Sequence, residues 1–254
     1  MIYITGDKHG NYDDVVAFCK SHNTTKKDVM IVLGDHGCLY YSDSDNRTKH
    51  LLQKLENLPI TFVMIRGDHD RRPFVSDNGR ELRYFLNPSF TGWFYVDKAY
   101  PSILFTLEYG WYWFTGRHTF IIGGAHSFDA PYRCYMRDMA YKNYRWFSNE
   151  RLSSSEMKDA LDVFRLLQLK KYSKTPFYIM SHTAPMKYVP DDAKKPVHDE
   201  RFSSDFSMEK WMDELESAHT PSGLTYSKWY CGHWHIDKEI DNVRFMYNDI
   251  IPFY

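Results

Sequence analysis

The sequence predicts an α/β fold that begins with a parallel sheet. Three observations point there. Apolar, strand-like runs occupy residues 1–5, 29–33 and 60–66. Segments of helical periodicity separate them, and strand, helix, strand, helix, strand is the βαβαβ pattern of parallel pairing. Each run also ends alike, in Gly6-Asp7-Lys8-His9, Gly34-Asp35-His36 and Gly67-Asp68-His69-Asp70. Polar groups therefore collect at the strand tips.

The elements follow in order. Asn11 is placed to cap a helix running from about Tyr12 to Ser21, with Val15, Val16, Phe18 and Cys19 toward its buried side. Residues 45–57 carry Leu51, Leu52 and Leu55 on one face of a second helix. The middle changes character. Runs at 102–107, 111–115 and 119–122, with turn signals at Tyr109-Gly110 and Gly116-Arg117, read as an antiparallel meander. Its aromatic run, Trp111 to Phe114, reads as core and cross-strand packing rather than a base-stacking platform.

A long helix is expected at about 154–171, with Met157, Leu161, Phe164 and Leu167 at helical spacing. Lys170, Lys171 and Lys174 suit its solvated C-terminus. A strand at 176–180, a proline-containing loop at 184–206, a helix at 207–218 and strands at 228–231 and 243–247 complete the chain. The loop carries His198, Asp199 and Glu200 and follows a polar strand tip, so it is expected to shape the approach of substrate. No repeat, low-complexity tract or dividing linker is seen, and one domain over 1–254 is expected.

Composition narrows the function. Hydrophobic residues make up 43% of the 254 and aromatics 17%, enough for a sizeable sheet-rich core. The net charge of −1 excludes a global basic field, so nucleic acid is a possible but not a favoured partner. No membrane span or signal peptide is read. Cys19, Cys38, Cys134 and Cys231 lie far apart without a CxxC, as expected of reduced thiols in a cytoplasmic protein. Oligomeric state has no signature here.

Ligands of open α/β sheets bind beyond the carboxyl ends of the strands. Later segments end there in Ser181-His182 and Gly232-His233-Trp234-His235. Asp7, His9, Asp35, Asp68, His182, His233 and His235 can therefore converge. A mixed carboxylate and imidazole set suits Zn, Mn or Fe. Seven ligands exceed one ion's need but fit two divalent ions sharing a carboxylate, a pair that clamps an in-line phosphoryl displacement.

Together these blocks resemble the calcineurin-like metallophosphoesterase signature, D-x-H, G-D, G-N-H-(E/D), H and G-H-x-H, in this order. Gly123-Gly124-Ala125-His126-Ser127-Phe128-Asp129 and Tyr247-Asn-Asp-Ile-Ile251 are similar to small stand-alone bacterial and phage members. The resemblance implies a four-layer α/β/β/α sandwich with two mixed sheets. It implies that Asp7, His9 and His235 hold one metal, that Asp68, His182 and His233 hold another, and that Asp35 bridges. His69 would be the general acid, Asp70 its orienter, and a hydroxide held by the metals the nucleophile.

Two departures qualify this. Asp68 stands where the family has Asn, which adds a negative charge. His36-Gly37-Cys38-Leu39 follows Asp35 where the Ser/Thr phosphatases carry an Asp that orients the acid and an Arg that binds phosphate. Phosphoproteins are therefore not the expected substrate. Arg71, Arg72 and Arg133 are the candidate phosphate contacts. His126, Ser127 and Asp129 are near-consecutive neighbours, so they read as strand-end packing or rim contacts rather than as a triad. The expected activity is hydrolysis of a small or nucleotide-like phosphomonoester or phosphodiester. The alternatives are a nuclease on the same scaffold, or a metal- or ligand-binding module weakened by Asp68.

Overall fold

Strands β1 (Ile2–Thr5), β2 (Val29–Leu33) and β3 (Thr61–Ile65) pair in parallel, as the βαβαβ pattern predicted. Helices α1 (Asp13–His22) and α2 (Asn46–Glu56) make the crossovers. The structure, a computed structural model, describes residues 1–74, 79–141, 143–168, 177–194, 199, 202–217 and 226–253. Lys170, Lys171, Lys174, His198 and Glu200 lie outside them.

Local chemistry sets the helix ends. Asp45 accepts from the Arg47 amide at 2.9 Å and caps α2, a contact worth about 1 kcal/mol. Asn11 accepts instead from the Asp13 amide at 3.1 Å, and the helix begins one residue later than expected. Val15 and Cys19 are buried from α1, and Leu52 and Leu55 from α2.

Besides the short edge strands at Lys238–Ile240 and Ile250–Pro252, two longer strands were missed, β4 (Arg80–Leu86) and β5 (Phe90–Asp97), an antiparallel pair. The expected meander is rearranged around them. β6 (Ile103–Thr106) lies between β3 and β5. β7 (Tyr109–Phe114) pairs with the other end of that same edge of β5, at Phe90 and Thr91, the opposite edge being taken by β4. Tyr109 and Gly110 are therefore inside a strand, not in a turn. The hairpin from β7 to β8 (Arg117–Ile122) does form. Its Thr115 and Gly116 have φ of 44° and 86°, as a two-residue turn of the twist-matching type requires.

After helices α3 (Ala130–Asp138) and α4 (Ser154–Gln168), β9 (Phe177–Ser181) lies parallel to β8. Helix α5 (Ser207–Ser217) leads to β10 (Tyr226–Cys231), which is parallel to β9. Short strands β11 (Lys238–Ile240), β12 (Val243–Phe245) and β13 (Ile250–Pro252) complete the edges. The mixed α/β class is as predicted. The ladder, however, joins the strands into one continuous curled sheet where two were expected. The two-pair contact between β5 and β7 is the narrow joint.

Three apolar clusters hold this sheet. One packs Ile4, Ile31, Val63 and Phe94 against Tyr112, Phe114, Ile121 and Tyr230, residues from both sides of the joint. Alternate residues of β2 and β3 point the other way, toward Val15, Cys19, Leu52 and Leu55. Alternate residues of β8, β9 and β10 pack on Phe164, Trp211, Met212 and Leu215. The aromatic run thus serves packing. Tyr112 and Phe114 are buried, and Trp111 stacks on Phe164 at 5.6 Å. All four cysteines are free, and among the described residues no helix is long and apolar enough to cross a membrane.

Candidate metal centre

The carboxyl ends of β1, β2, β3, β9 and β10 face one edge, and each is followed by one or two of the predicted donors. The chain turns sharply as it leaves those strands. His9, Asp35, His233 and His235 take left-handed φ of 45°, 45°, 67° and 49°. Such backbone costs about 1 kcal/mol or more per residue and collects at functional sites. Two glycines make the convergence possible. A Cβ on Gly34 would lie 2.0 Å from His182 Nδ1, and one on Gly67 would lie 2.0 Å from Asp35 Oδ1.

The donors form two groups. His9 Nε2 lies 3.0 Å from His235 Nε2, which lies 3.1 Å from Asp7 Oδ2. Asp68 Oδ1 lies 2.8 Å from His182 Nε2 and 3.1 Å from His233 Nδ1. Donor atoms bound to one ion at about 2.1 Å lie about 3.0 Å apart at right angles and about 3.4 Å apart in a tetrahedron. Both sets therefore fit a cation. Asp35 stands between them, with Oδ2 3.8 Å from His9 Nε2 and Oδ1 3.7 Å from His182 Nε2.

Electrostatics agree with this fit. His182 Nδ1 donates to the Leu33 carbonyl at 2.8 Å, which aims Nε2 at Asp68 and Asp35. That nitrogen faces carboxylate oxygens and needs a proton or a cation between. Burial opposes the charge on His182, but Asp35, Asp7 and Asp68 outweigh it and push its pKa up to about 10. Burial and the nearby Asp68 push the Asp35 carboxyl well above the usual range. Burial works against an ionised Asp68, yet His69, His233 and His182 hold it well below. His9 is lowered to about 4, chiefly by burial, and is neutral and free to ligate at pH 7. Among the described residues, His233 Nε2 is buried without a hydrogen-bond partner.

His69 sits beside this cluster. Its Nδ1 lies 3.4 Å from both Asp68 Oδ2 and Ser127 Oγ, and its Nε2 lies 3.2 Å from Arg133 Nη2. Burial lowers its pKa. Asp70, expected to orient it, points elsewhere. Its carboxylate accepts from the amides of His36, Gly37 and Gly67, each at 3.1 Å, and so braces the turns after β2 and β3. Adjacent residues in that turn diverge, and three backbone donors capture the buried carboxylate.

Two of the three candidate arginines are likewise engaged away from the donors. Arg71 donates to the Tyr41 carbonyl and Asp43. Arg72 is bound by Glu156 and by the Asn149 and Arg151 carbonyls. Arg133 alone reaches the centre. It shares a cleft of about 500 Å³ with His9, Asp35, His69, Tyr40, Arg47 and Lys54. Arg47 and Lys54 were not singled out in the sequence, although their spacing of seven puts them on one helix face. His126, Ser127 and Asp129 do not make a triad. They contact Glu150, Asp68 and Arg133 respectively.

A model of the calcineurin-like phosphoesterase family matches residues 1–251. No curated protein matches the chain. Matched over nearly its whole length, and with groups of Asp and His able to hold metal, the chain belongs to the calcineurin-like phosphoesterase family of metal-dependent hydrolases.

Proposed function

We propose that the chain is a dinuclear phosphoesterase acting on a small or nucleotide-sized phosphoester. The observation that carries this is the pair of donor groups flanking Asp35 at the head of an open cleft. Asp7, His9 and His235 would hold one ion, Asp68, His182 and His233 the other, and Asp35 both. Bound there, divalent ions such as Mn, Zn or Fe supply positive charge for the phosphoryl oxygens and acidify an attacking water.

The chain's own residues supply the rest. The Arg133 guanidinium, at the cleft end beside His69, is placed for a phosphoryl oxygen. His69 faces that same space through Nε2 and, as the doubly protonated imidazolium, gives the Nε2 proton to the leaving oxygen, which departs as an alcohol. Tyr40 and Leu51 offer apolar surface to the leaving group, and Arg47 and Lys54 offer charge to an anionic one.

The test is metal analysis of purified protein coupled to an activity panel. The panel holds nitrophenyl phosphate mono- and diesters, nucleotides, DNA and RNA. About two ions per chain, with ester hydrolysis lost on chelation and restored by Mn or Zn, is expected. A protein that takes up no metal, or is inert toward the whole panel when loaded, overturns the reading. Salt-sensitive cleavage confined to DNA or RNA would make it a nuclease.

A further inference from the structure

We propose that Ser127 and the second carboxylate oxygen of Asp68 act together as the positioning device for His69. They replace the carboxylate that the turn after Asp35 lacks. The inference rests on the reading of His69 as the acid.

Hydrogen counting carries it. Ser127 Oγ lies 2.7 Å from Asp68 Oδ2, and its hydroxyl donates to that carboxylate oxygen. The single hydroxyl hydrogen is spent there. Only a lone pair of Oγ is left to face His69 Nδ1 at 3.4 Å, and Asp68 Oδ2 faces the same nitrogen at 3.4 Å. Both neighbours ask for a hydrogen on Nδ1. On the other side of the ring, Arg133 Nη2 at 3.2 Å can only donate, so Nε2 presents its lone pair. The two sides assign one tautomer. Nδ1–H is held by Ser127 and Asp68, and Nε2 is the nitrogen that exchanges a proton with the cleft.

The device is itself fixed from behind. The Ser127 amide donates to Glu150 Oε1 at 2.9 Å, and His126 Nδ1 lies 3.2 Å from the same oxygen. Glu150 is only 2% exposed and Ser127 1%. This gives Gly123–Asp129 a purpose that strand-end packing did not. It also gives Asp68 a second one. An amide at this position, ligating through its oxygen, would aim N–H groups at Nδ1–H. A carboxylate ligates through Oδ1 and still accepts through Oδ2.

The test uses Zn-loaded protein with ¹⁵N-labelled histidine, the His69 signals being identified by their loss in His69→Gln. At a pH where the ring is neutral, the unsubstituted protein should show Nδ1–H with a bare Nε2, and the neutral Nε2–H tautomer there overturns the proposal without any variant. Nitrophenyl and phenyl phosphates then separate the proposal from its parent reading, because a poor leaving group needs the acid. His69→Gln should lose about 10²-fold or more on the phenyl ester and much less on the nitrophenyl ester. Without that contrast the acid reading fails, whatever Ser127 does. Ser127→Ala should keep its metal, lose about tenfold on the phenyl ester selectively, and show a mixture of His69 tautomers. It should cost nothing further in a His69→Gln background. An unchanged tautomer, or equal loss on both esters, refutes the role of Ser127.

Discussion

Replacing Asp70 by Asn separates two jobs that its place in the sequence confuses. If Asp70 braces the turns, the substitution acts on stability. Its Oδ2 takes the His36 and Gly67 amides and its Oδ1 takes the Gly37 amide, all at 3.1 Å. The asparagine oxygen can keep two of these donors. The new NH₂ then confronts the third amide, donor against donor, inside a group 1% exposed. One charge-assisted bond is lost and buried N–H groups are left unpaired, about 3 kcal/mol in sum. In a chain of this size that lowers the melting temperature by roughly 6–12 °C. Both braced turns carry donors, Asp35 and Asp68, so metal affinity should fall as well. The assay is thermal unfolding of the metal-free variant, then metal titration, then the nitrophenyl and phenyl comparison at saturating metal. Expected are a lower melting temperature, weaker loading and no selective loss on the phenyl ester. Unchanged stability with selective loss on the phenyl ester would refute the bracing argument and return Asp70 to His69.

Other consequences can be read directly. At pH 7 the metal-free protein carries a proton on His182, raised to about 10, that a cation must displace. Loading in weak buffer should therefore release at least one proton per chain, and affinity should rise with pH toward 10; loading without proton release contradicts this. Because that pKa is raised on folding, its contribution to metal-free stability is full below about 6.5 and fades as pH climbs through 10, which melting curves across that window would reveal. Gly34→Ala places a Cβ against His182 Nδ1 on backbone at φ 100°, so metal titration should show one ion lost from a folded protein. Arg133→Ala should raise KM about tenfold, whereas Arg72→Ala should leave KM unchanged and cost about 2 kcal/mol of stability through its lost contacts to Glu156 and backbone carbonyls.

Much of this was legible because period and punctuation agree in β1 to β3 and their crossovers. The donors were legible because a strand that ends in Gly-Asp or Ser-His has only one place to put its last residues. Legibility failed where sequence neighbours part company. Asp70, Arg71 and Arg72 follow His69 directly, yet they face the His36 turn, Asp43 and Glu156. A turn sends successive side chains in different directions, and no local pattern says where each will be satisfied. β4 escaped because Arg-Glu-Leu-Arg-Tyr-Phe-Leu has no alternation of charged and apolar residues, and on this edge Leu82, Tyr84 and Leu86 are exposed. The rearranged meander followed from that omission, since β5 takes the place β7 was expected to fill. Ser127 needed three dimensions, because its partners are 59 and 58 residues away.

Asp68 illustrates how a departure from a family pattern can be self-consistent. Three carboxylates, Asp7, Asp35 and Asp68, are buried within reach of one another. Without cations they need protons or imidazolium charge, and raised His182 and Asp35 values are that need expressed as pKa. With two divalent ions the four positive charges exceed the three carboxylates by one. An amide at position 68 would leave an excess of two and a stronger pull on the phosphoryl group. The carboxylate would thus hold the ions more tightly and polarise the substrate less. Its second oxygen faces His69, where the turn after Asp35 offers no acid-orienting carboxylate. The lost pull and the gained orientation act on opposite ends of the breaking bond. Asp68→Asn should then accelerate esters with good leaving groups, which depend on charge, and slow those with poor ones, which depend on the acid. A uniform effect on both would mean that the second oxygen of Asp68 has no part in catalysis.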